Sequence, residues 1–450
     1  MKHSPEFKFI HAADIHLDGE CKIINPLYAE MPVDLKSLLL DYTRRAFCNL
    51  VDLCLSENVD FMILSGDVFD KCERSVSSQL FFKRQMERLN KKGINVYICF
   101  GNHDYVNLGF PKITYPSNVH LFDCGKVEKF SFIKNGIPLA NIYGISFDKR
   151  EIKDNLTELF PKTEKDNSFN IFNIGVLHTN VGSISEHKNY SPCNLNDLIA
   201  CNIDYWALGH VHSRKILKKN NPLIAYSGNI QGRGFHEEGN KGCYLAHVKD
   251  NAVCEFRFLS TDEIRWKTIR INIETFDSQE FNQSDDVEKL MCKIAEIVLD
   301  NIPENKKTYI VNIVLEGKSE IHKVFANPAI KQEDLFEELE RKILCYNDEK
   351  ISSGEICRYI WINSFKIQTQ LPIDKKNLVD SGEFISQFLA VSDNVIEQKG
   401  HHKLVNEVLK VIESNRDIQR YLDDFSEEEL TELINNAQSM GIDLLLLEED

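Results

Sequence analysis

Short apolar runs alternate with helically spaced apolar residues through the first 270 positions of the chain. Three β-rich runs, at 8–13, 60–65 and 94–100, are separated by two segments, 34–57 and 75–92, in which apolar residues recur at the spacing of an amphipathic helix. This alternating order of strands and helices predicts right-handed crossovers and a parallel sheet. Further strands are predicted at 140–146, 170–177, 205–208, 223–226, 243–248 and 253–259.

The pattern changes near position 266 and again near Asp374. Between these points the chain shows a smaller set of strand and helix patterns, and beyond Asp374 the apolar spacing is helical to the end. We therefore expect a layered α/β domain, a small α/β domain and a helical C-terminal region, at 1–265, 266–370 and 371–450. The small domain is predicted to contain strands at 266–273, 308–315 and 356–365 and helices at 285–300 and 332–344.

The composition of the 450 residues is that of a globular chain, since 42% are hydrophobic and 27% are charged. No apolar run approaches the roughly 18 residues that a membrane-spanning helix needs, so we expect no membrane segment. The 13 cysteines are scattered and form no Cys-x-x-Cys pair. This usage is typical of reduced thiols and predicts a cytoplasmic protein without a disulfide framework.

The net charge of −16 argues at first against binding to DNA, because DNA is itself a polyanion. The acidic residues are unevenly distributed, however. Residues 1–270 carry 34 Lys and Arg against 32 Asp and Glu, whereas residues 271–450 carry 19 against 37. The predicted first domain is therefore close to neutral, and the acidity belongs to the half that follows it.

Five polar clusters lie at the ends of predicted strands in the first domain. They are Asp14-Ile-His16, Gly66-Asp67, Gly101-Asn-His-Asp104, His178 and Gly209-His-Val-His212. Carboxylate, amide and imidazole groups together suit Mn²⁺, Fe²⁺ or Zn²⁺, and open α/β sheets place their sites just past strand ends. Each cluster alone has an ordinary structural explanation, but all five in one domain predict a metal site.

The order of these clusters, D-x-H, G-D, G-N-H-D, H and G-H-x-H, resembles that of the calcineurin-like metallophosphoesterases. The resemblance implies a four-layer αββα sandwich with two divalent metal ions, and it implies seven ligands that share one bridging carboxylate. One ion is expected on Asp14, His16 and His212, the other on Asn102, His178 and His210, and Asp67 bridges both.

The same resemblance gives His103 a role distinct from that of its neighbours. In the family this histidine contacts the scissile phosphate and assists the leaving oxygen, so we expect His103 to be the catalytic acid or a stabiliser of the transition state. Asp104 either fixes the tautomer of His103 or caps the following turn. Asp70 either supports the site from outside the ligand set or is simply solvated.

Within the family, the chain departs from the protein phosphatases, which resemble G-D-x-V-D-R-G and G-N-H-E. It has Gly66-Asp-Val-Phe-Asp70 instead, and its second motif ends in Asp104. The stretches Phe9-Ile-His-Ala-Ala-Asp-Ile-His-Leu-Asp18 and Tyr226-Ser-Gly-Asn-Ile-Gln-Gly-Arg233 resemble the SbcD-like DNA-repair exonucleases, and the YhaO-type enzymes among them most closely.

That branch implies a Mn²⁺-dependent nuclease that hydrolyses phosphodiester bonds of DNA in repair or processing, as a 3′-to-5′ exonuclease, a single-strand endonuclease or both. It also implies an SbcC-like coiled-coil ATPase as partner and a homodimer formed through the helices at 34–57 or 75–92. One alternative is a metallophosphoesterase that acts on nucleotides or other small phosphoesters. Another is a binding scaffold with an inactive site, against which the complete ligand set argues.

Basic residues are candidates for contacts with DNA, although a run of charge is more often a solvated face. The candidates are Arg214, Lys215, Lys218 and Lys219 after the His-x-His cluster, Lys83, Arg84, Arg88, Lys91 and Lys92 on one helix, and Arg233. For Arg233 a structural role in its loop is an equal alternative. Amphipathic segments at 404–412 and 430–437 either pack on their own domain or dock onto the ATPase partner.

Overall fold

The structure, a computed structural model, contains two large sheets and a smaller third one. It describes residues 6–17, 19, 31, 33–70, 75–106, 113–162, 171–182, 190–201, 203–281, 286–303, 307–327, 329–352, 359–372, 386–391, 394, 437, 438 and 441. Strands β1 to β15 span Glu6–Ala12, Phe61–Ser65, Asn95–Cys99, Val119–Leu121, Glu128–Lys134, Ile137–Gly144, Phe172–His178, Tyr205–Gly209, Lys215–Lys218, Leu223–Tyr226, Gly242–Lys249, Ala252–Ser260, Ile264–Asn272, Thr308–Lys318 and Ile360–Gln370. Helices α1 to α6 span Val33–Ser56, Val76–Asn90, Leu195–Ala200, Val287–Asp300, His322–Ala326 and Gln332–Ser352.

The two large sheets have six strands each. The first sheet has the order β12-β11-β1-β2-β3-β4, and β1 to β4 run parallel to one another. The second has the order β5-β6-β7-β8-β10-β9, and β6, β7, β8 and β10 run parallel. Strands β1, β2 and β3 are linked through α1 and α2, as the alternating pattern predicts.

The two sheets pack face to face through an apolar, largely aromatic core. The rings of Phe9 and Phe61 are stacked with centroids 5.2 Å apart, and Tyr205 of the second sheet meets Phe9 edge to face at 5.1 Å. All three side chains are buried together with residues of both sheets. Burial of this area on both sides is the main force that holds two sheets together.

Helices cover the outer face of each sheet. Helices α1 and α2 pack on the first sheet through side chains such as Phe47 and Phe82, whose rings lie 5.5 Å apart. Ser75 caps α2, since its hydroxyl accepts the N–H of Ser78 at 3.1 Å. Helix α3 packs on the second sheet with Leu198 in the same core cluster as Trp206. The resulting four layers confirm the αββα sandwich implied by the family resemblance.

The remaining strands, β13, β14 and β15, form a three-stranded sheet in that order. The chain divides into two compact units, Met1–Lys267 with Glu304–Val311 and Glu349–Asn363, and Thr268–Pro303 with Asn312–Asp348 and Ser364–Asp450. In the second unit, α4 buries Leu290, Ile294 and Val298, and α6 buries Leu335 and Leu339. The boundaries at 265 and 370 expected from the sequence stay a prediction.

Most predicted elements are present, but five short ones were not predicted. These are strands β4, β5 and β9 and helices α3 and α5, which have between three and seven residues each, and so little chain carries a weak periodic signal. Strand β15 also ends five residues later than expected. Of the C-terminal region predicted to be helical, residues 386–391, 394, 437, 438 and 441 are described and are helical, and the rest lies outside the described residues. Among the described helices, none has the length and apolar character needed to cross a membrane.

Candidate metal centre

The carboxyl ends of parallel strands from both sheets meet at one end of the sandwich. Asp14 follows β1, Asp67 follows β2 and Asn102 follows β3 of the first sheet. His178 is the last residue of β7, and His210 follows β8 of the second sheet. Because each ligand candidate stands at the same end of its strand, the packing of the two sheets brings the five clusters together.

The backbone is unusual at four of the predicted ligands. Asp14, His16, Asp67 and His210 all have positive φ, at 51°, 49°, 50° and 100°. Residues other than glycine rarely adopt this left-handed region, and such conformations cluster at functional sites. Hydrogen bonds between the loop after β1 and the loop after β2 hold this backbone conformation. The N–H of Asp14 donates to Gly66 O at 3.1 Å, and the N–H of His16 donates to Asp67 O at 3.0 Å.

Asp14, His16 and His212 form a first group whose ligand atoms lie within 4.8 Å of one another. The Nδ1 atom of His16 lies 2.7 Å from Oδ1 of Asp70, and Nδ1 of His212 lies 2.6 Å from Oε1 of Glu237. Because Nδ1 of each ring faces a carboxylate, the favoured tautomer carries its proton on Nδ1 and a lone pair on Nε2. The contact of His212 is a hydrogen bond, whereas that of His16 is an ion-pair distance without hydrogen-bond geometry. The two Nε2 atoms face each other at 3.2 Å.

Asp14, Asp67 and His178 form a second group within the same distance limit. Nδ1 of His178 donates to Ser65 O at 3.0 Å, so its Nε2 is again a free acceptor. That nitrogen lies 2.9 Å from Oδ1 of Asn102 and 3.5 Å from Oδ2 of Asp67. Asn102 therefore joins this group through its amide oxygen.

His210 lies beside both groups. Its backbone N–H donates to both carboxylate oxygens of Asp14, each at 3.1 Å, and so orients that ligand candidate. Its ring centroid lies 5.2 Å from the ring of His178 and 5.5 Å from that of Tyr190. The role of the His210 ring as a metal ligand stays a prediction.

The electrostatics of the site favour divalent cations. Burial lowers the pKa of His16 and of His212, and it lowers the pKa of His178 to about 4, so these imidazoles are neutral near pH 7. Burial raises the pKa of Asp14 and of Asp67, and the charge of Asp67 raises the pKa of Asp14 further.

Two pairs of ligand atoms lie about 3 Å apart beside the buried carboxylates of Asp14 and Asp67. They are the Nε2 atoms of His16 and His212, and Nε2 of His178 with Oδ1 of Asn102. This separation matches adjacent ligand positions around an ion with bonds of about 2.1 Å. The side chains described here therefore fit the two divalent ions that the sequence predicts.

Gly101 allows the ligands to approach one another this closely. A Cβ at this position would overlap with Oδ1 of Asp67 and would lie 2.8 Å from both Cε1 and Nε2 of His178. Any larger residue would therefore displace side chains from the second ligand group. The glycine in Gly101-Asn-His-Asp104 is a steric requirement of the site.

His103 lies at the rim of the site, with about a third of its side chain exposed. Its ring is perpendicular to that of His16, with centroids 5.0 Å apart, and its backbone N–H donates to Oδ1 of Asp67 at 2.9 Å. Nδ1 of His103 donates to the backbone carbonyl of Asp70 at 2.8 Å. This bond fixes the tautomer with the proton on Nδ1, so Nε2 is the atom that is available to contact a substrate.

Asp104 connects the backbones of two loops. One of its carboxylate oxygens accepts the N–H of Val68 at 2.7 Å and of Phe69 at 3.3 Å, and the other accepts the N–H of Gly101 at 2.7 Å. Asp104 therefore ties the loop after β2 to the loop after β3. These three N–H groups all precede Asp104 in the chain, so its contacts match neither sequence interpretation: they do not lie in the following turn, and the carbonyl of Asp70 holds Nδ1 of His103.

Comparisons with known proteins agree with this geometry. The family model of the calcineurin-like phosphoesterases matches residues 7–214. The uncharacterized metallophosphoesterase YhaO of Bacillus subtilis is 30% identical over 438 residues, which are 96% of this chain and 96% of the relative. The chain belongs to the calcineurin-like metallophosphoesterase family.

Relatives of this metallophosphoesterase include proteins named for the repair of DNA double-strand breaks. Mre11 of Sulfurisphaera tokodaii is 26% identical over 288 residues, 61% of this chain and 67% of the relative. Mre11 of Methanocaldococcus jannaschii is 23% identical over 344 residues, 73% of this chain and 83% of the relative. The expected resemblance to the break-repair branch is confirmed at the level of sequence similarity.

Glu237 is a site residue of this metallophosphoesterase that sequence reasoning missed. It lies at the end of a 3-10 turn, Phe235–Glu237, between the strands β10 and β11. Although burial opposes ionisation, the hydrogen bond from His212 and the charge of Arg233 hold its pKa well below the ordinary value. A carboxylate on the outer nitrogen of a ligand histidine is a recurrent arrangement, but nothing in the local sequence marked Glu237 for it.

Asp70 and Arg233 are also part of the site wall. Oδ1 of Asp70 lies near His16 and accepts from Nη1 of Arg233 at 2.8 Å. Asp70 is therefore a supporting residue, the first of its two sequence interpretations, and is not simply solvated. Arg233 was expected either to contact phosphate or to hold its loop, and its observed contacts are to Asp70 and to Glu237.

Proposed function

We propose that this metallophosphoesterase is a two-metal DNA nuclease. The observation that carries the proposal is the convergence of two ligand groups, around His16 with His212 and around His178 with Asp67, beneath the exposed ring of His103. Two bound divalent ions would supply positive charge to the phosphoryl oxygens and a reactive water near neutral pH. Imidazole, carboxylate and amide ligands suit Mn²⁺, which we propose as the working ion.

The residues of the chain support phosphodiester hydrolysis in a defined way. His103 holds its Nδ1 proton on the carbonyl of Asp70, so it exchanges a proton with the substrate at Nε2. From Nε2 the ring can donate a proton to the leaving oxygen. The backbone N–H of His103 donates to the carboxylate of Asp67. This bond keeps the distance between His103 and the ligand group of Asp67 constant.

DNA as the substrate is supported by similarity and by charge. The Mre11 relatives are named as DNA double-strand break repair proteins. Residues 1–270 of this chain have nearly equal numbers of basic and acidic residues, so the acidic half does not include the site. Neutral surroundings with two bound cations would tolerate a phosphate backbone, although they would hold it weakly.

Position in the fold separates the basic candidates for DNA contact. Lys215 pairs in register with Tyr226 at the carboxyl end of β10, the end at which the site lies, whereas Lys218 pairs with Ile224 farther from it. Arg88 on α2 is paired with Asp52, and Lys91, the residue after α2, lies four residues before the start of β3 at the opposite end of the sandwich. We therefore propose that Lys215 faces the DNA path and that the charges at the end of α2 are a solvated face.

The nuclease proposal is tested with end-labelled single- and double-stranded DNA and Mn²⁺. We expect cleavage that stops on chelation and in the His103→Gln variant, and the ladder of products gives the polarity and the preference for ends. The same protein is assayed on nucleotides, cyclic dinucleotides and a chromogenic diester. Hydrolysis of these small substrates without any cleavage of DNA would replace the nuclease by the small-phosphoester alternative.

We also propose that the chain acts in the cytoplasm as a homodimer. Large apolar side chains are exposed on both α1 and α2, with Leu40 87% exposed on α1 and Leu80 42% exposed on α2. The Leu40→Lys variant is expected to reduce the molar mass measured by light scattering from that of a dimer to that of a monomer. Leu159→Lys, at an exposed position outside these helices, is the matched control. A monomeric parent chain would overturn this proposal.

An SbcC-like coiled-coil ATPase is proposed as the partner, bound through the acidic C-terminal half. Residues 271–450 carry 19 basic against 37 acidic residues, which makes them a poor surface for DNA and a suitable one for a basic protein surface. Truncation after Asp374 is expected to abolish co-purification with such an ATPase. Unchanged co-purification would contradict the assignment.

A further inference from the structure

Arg233 lies between two carboxylates in the wall of the metal centre. Its Nη1 donates to Oδ1 of Asp70 at 2.8 Å, and its Nε lies 3.8 Å from Oε1 of Glu237. The backbone N–H of Arg233 donates to Oε2 of Glu237 at 2.8 Å. The side chain is only partly exposed, so these contacts form in a place that excludes most water.

Each of these two carboxylates holds one imidazole of the same ligand group. Asp70 lies 2.7 Å from Nδ1 of His16, and Glu237 lies 2.6 Å from Nδ1 of His212. The Nε2 atoms of the two rings converge at 3.2 Å. The contacts among these side chains form a closed ring. The guanidinium lies between the two carboxylates, each carboxylate contacts one imidazole, and the Nε2 atoms of the two imidazoles face each other.

The second ligand group is supported differently. His178 is oriented by the backbone carbonyl of Ser65, at 3.0 Å, and not by a charged side chain. Asp67 accepts the backbone N–H of His103. Loss of the Arg233 guanidinium therefore leaves the supports of His178 and Asp67 in place.

A guanidinium suits this position because the carboxylates on His16 and His212 need a cation that stays in place. The ligand atoms of His16, Asp70 and His103 also lie within 4.8 Å of one another, so this third group could itself hold a cation. The contact of Arg233 with Asp70 places a tethered positive charge there. Its planar fork also reaches toward the second carboxylate, which the single ammonium of a lysine does less well.

We propose that Arg233 is a positioning residue that sets the affinity of the ion bound with His16 and His212, and leaves the ion bound with His178 unaffected. It acts through Asp70 and Glu237, which fix the rings and keep their Nε2 lone pairs directed at one point. Residues that orient metal ligands typically change metal affinity by about 10–100-fold when they are replaced. The inference concerns metal binding alone and does not rest on DNA as the substrate.

The test is a titration of the metal-free, full-length chain with Mn²⁺. Binding is measured by calorimetry and by the loss of the paramagnetic resonance signal of the free ion. The parent chain is expected to bind two ions. In Arg233→Gln one ion should bind about 10–100-fold more weakly, and the other within about twofold of the parent. Arg233→Lys keeps the charge and should recover part of the loss.

Single-ligand variants identify which ion is affected. In the His178→Asn background the remaining ion should be weakened by Arg233→Gln to the same extent, whereas in the His212→Asn background the remaining ion should be unchanged. Glu237→Gln, which keeps the size of the side chain, should reproduce the selective loss if Arg233→Gln fails to fold. Arg257→Gln is the matched control, since Arg257 bridges Glu57 and Glu255 on the surface of the same unit.

Two results would overturn the proposal. Equal weakening of both ions by Arg233→Gln would mean that the arginine supports the domain in general, and unchanged binding of both ions would mean that it supports neither. The melting temperature of the metal-free variant distinguishes a loss of ligand orientation from a loss of fold. Because no phosphoester is present, these results stand whether or not the chain cleaves DNA.

Discussion

His16 and His212 face each other with their Nε2 atoms 3.2 Å apart, and a carboxylate lies on the outer nitrogen of each ring. Both rings are neutral near pH 7 because burial lowers their pKa. Two lone pairs at this distance repel each other until a cation lies between them. The fold therefore brings together groups that are favourable neighbours only when an ion is bound.

Removal of metal is expected to destabilise the folded chain. An ion that binds only the folded state adds about 2.7 kcal/mol of stability at a concentration one hundred times its Kd. In a domain of this size that corresponds to a rise of several degrees in Tm. Melting curves in Mn²⁺ and in chelator measure the difference, and Asp67→Asn should show a smaller one. Identical curves for the parent chain would argue against a bound ion.

His103→Gln is expected to lose activity while it keeps its metal. The ring alone provides the proton at Nε2, whereas the contact with Asp67 is made by the backbone and survives the substitution. Loss of a general acid lowers turnover by about 10²–10⁴-fold. Elemental analysis should still find two ions per chain. Normal turnover would remove His103 from the mechanism, and a loss of metal would make it a structural residue.

Asp104→Asn is expected to lower both stability and metal affinity. The carboxylate accepts three buried backbone N–H groups, two on one oxygen and one on the other. An asparagine keeps one acceptor oxygen, so at least one of these N–H groups would face the amide NH2, and the loss is about 1–3 kcal/mol for each N–H left unsatisfied. Urea denaturation measures it, with exposed Asp123→Asn as a control that should change stability by less than about 0.5 kcal/mol.

His11 is expected to make stability depend on pH. It is buried between the sheets, where Nε2 donates to Leu208 O and Nδ1 accepts from the hydroxyl of Tyr205. Burial lowers its pKa to about 3, from an ordinary value near 6.5. The unfolded chain therefore binds one more proton between these values, so stability falls as the pH falls through this range.

His11→Gln should remove this contribution, which amounts to about 2 kcal/mol between pH 6.5 and 5. Denaturant titrations of the metal-free chain at several pH values measure the slope. Tyr205→Phe removes the hydrogen bond to Nδ1 but keeps the imidazole, so it should be less stable at every pH with the slope retained. An unchanged slope in His11→Gln would mean that another group takes up the proton.

The positions of most strands and the candidate ligands were largely readable from the sequence. Amphipathic spacing predicted α1 and α2 to within two residues at each end, because a periodic apolar face of four or more turns is a strong signal. The candidate ligands were recognised because each lies at or after the end of a predicted strand, in motifs with a recurrent order. His178 alone carried no local motif, and its place depended on the strand before it.

The supports of the ligands were not readable in the same way. Asp104 was named, but whether it contacts a ring or a backbone depends on where the loop after β2 lies. Glu237 was not named at all, because 25 positions separate it from His212 and the chain between them forms two strands. Arg233 was considered either as a contact to phosphate or as a support of its loop, and the structure places its guanidinium against Asp70.

The sequence by itself determined the α/β class, the strand ends that carry chemistry, the seven ligand candidates and the neutral charge of the half that contains them. These are local properties, since periodicity, motif and charge can be counted along the chain. Only the tertiary structure decided which carboxylate supports which imidazole, and that one arginine joins two of them. Those relationships join residues up to 163 positions apart, and they exist only because two sheets pack with their strand ends together.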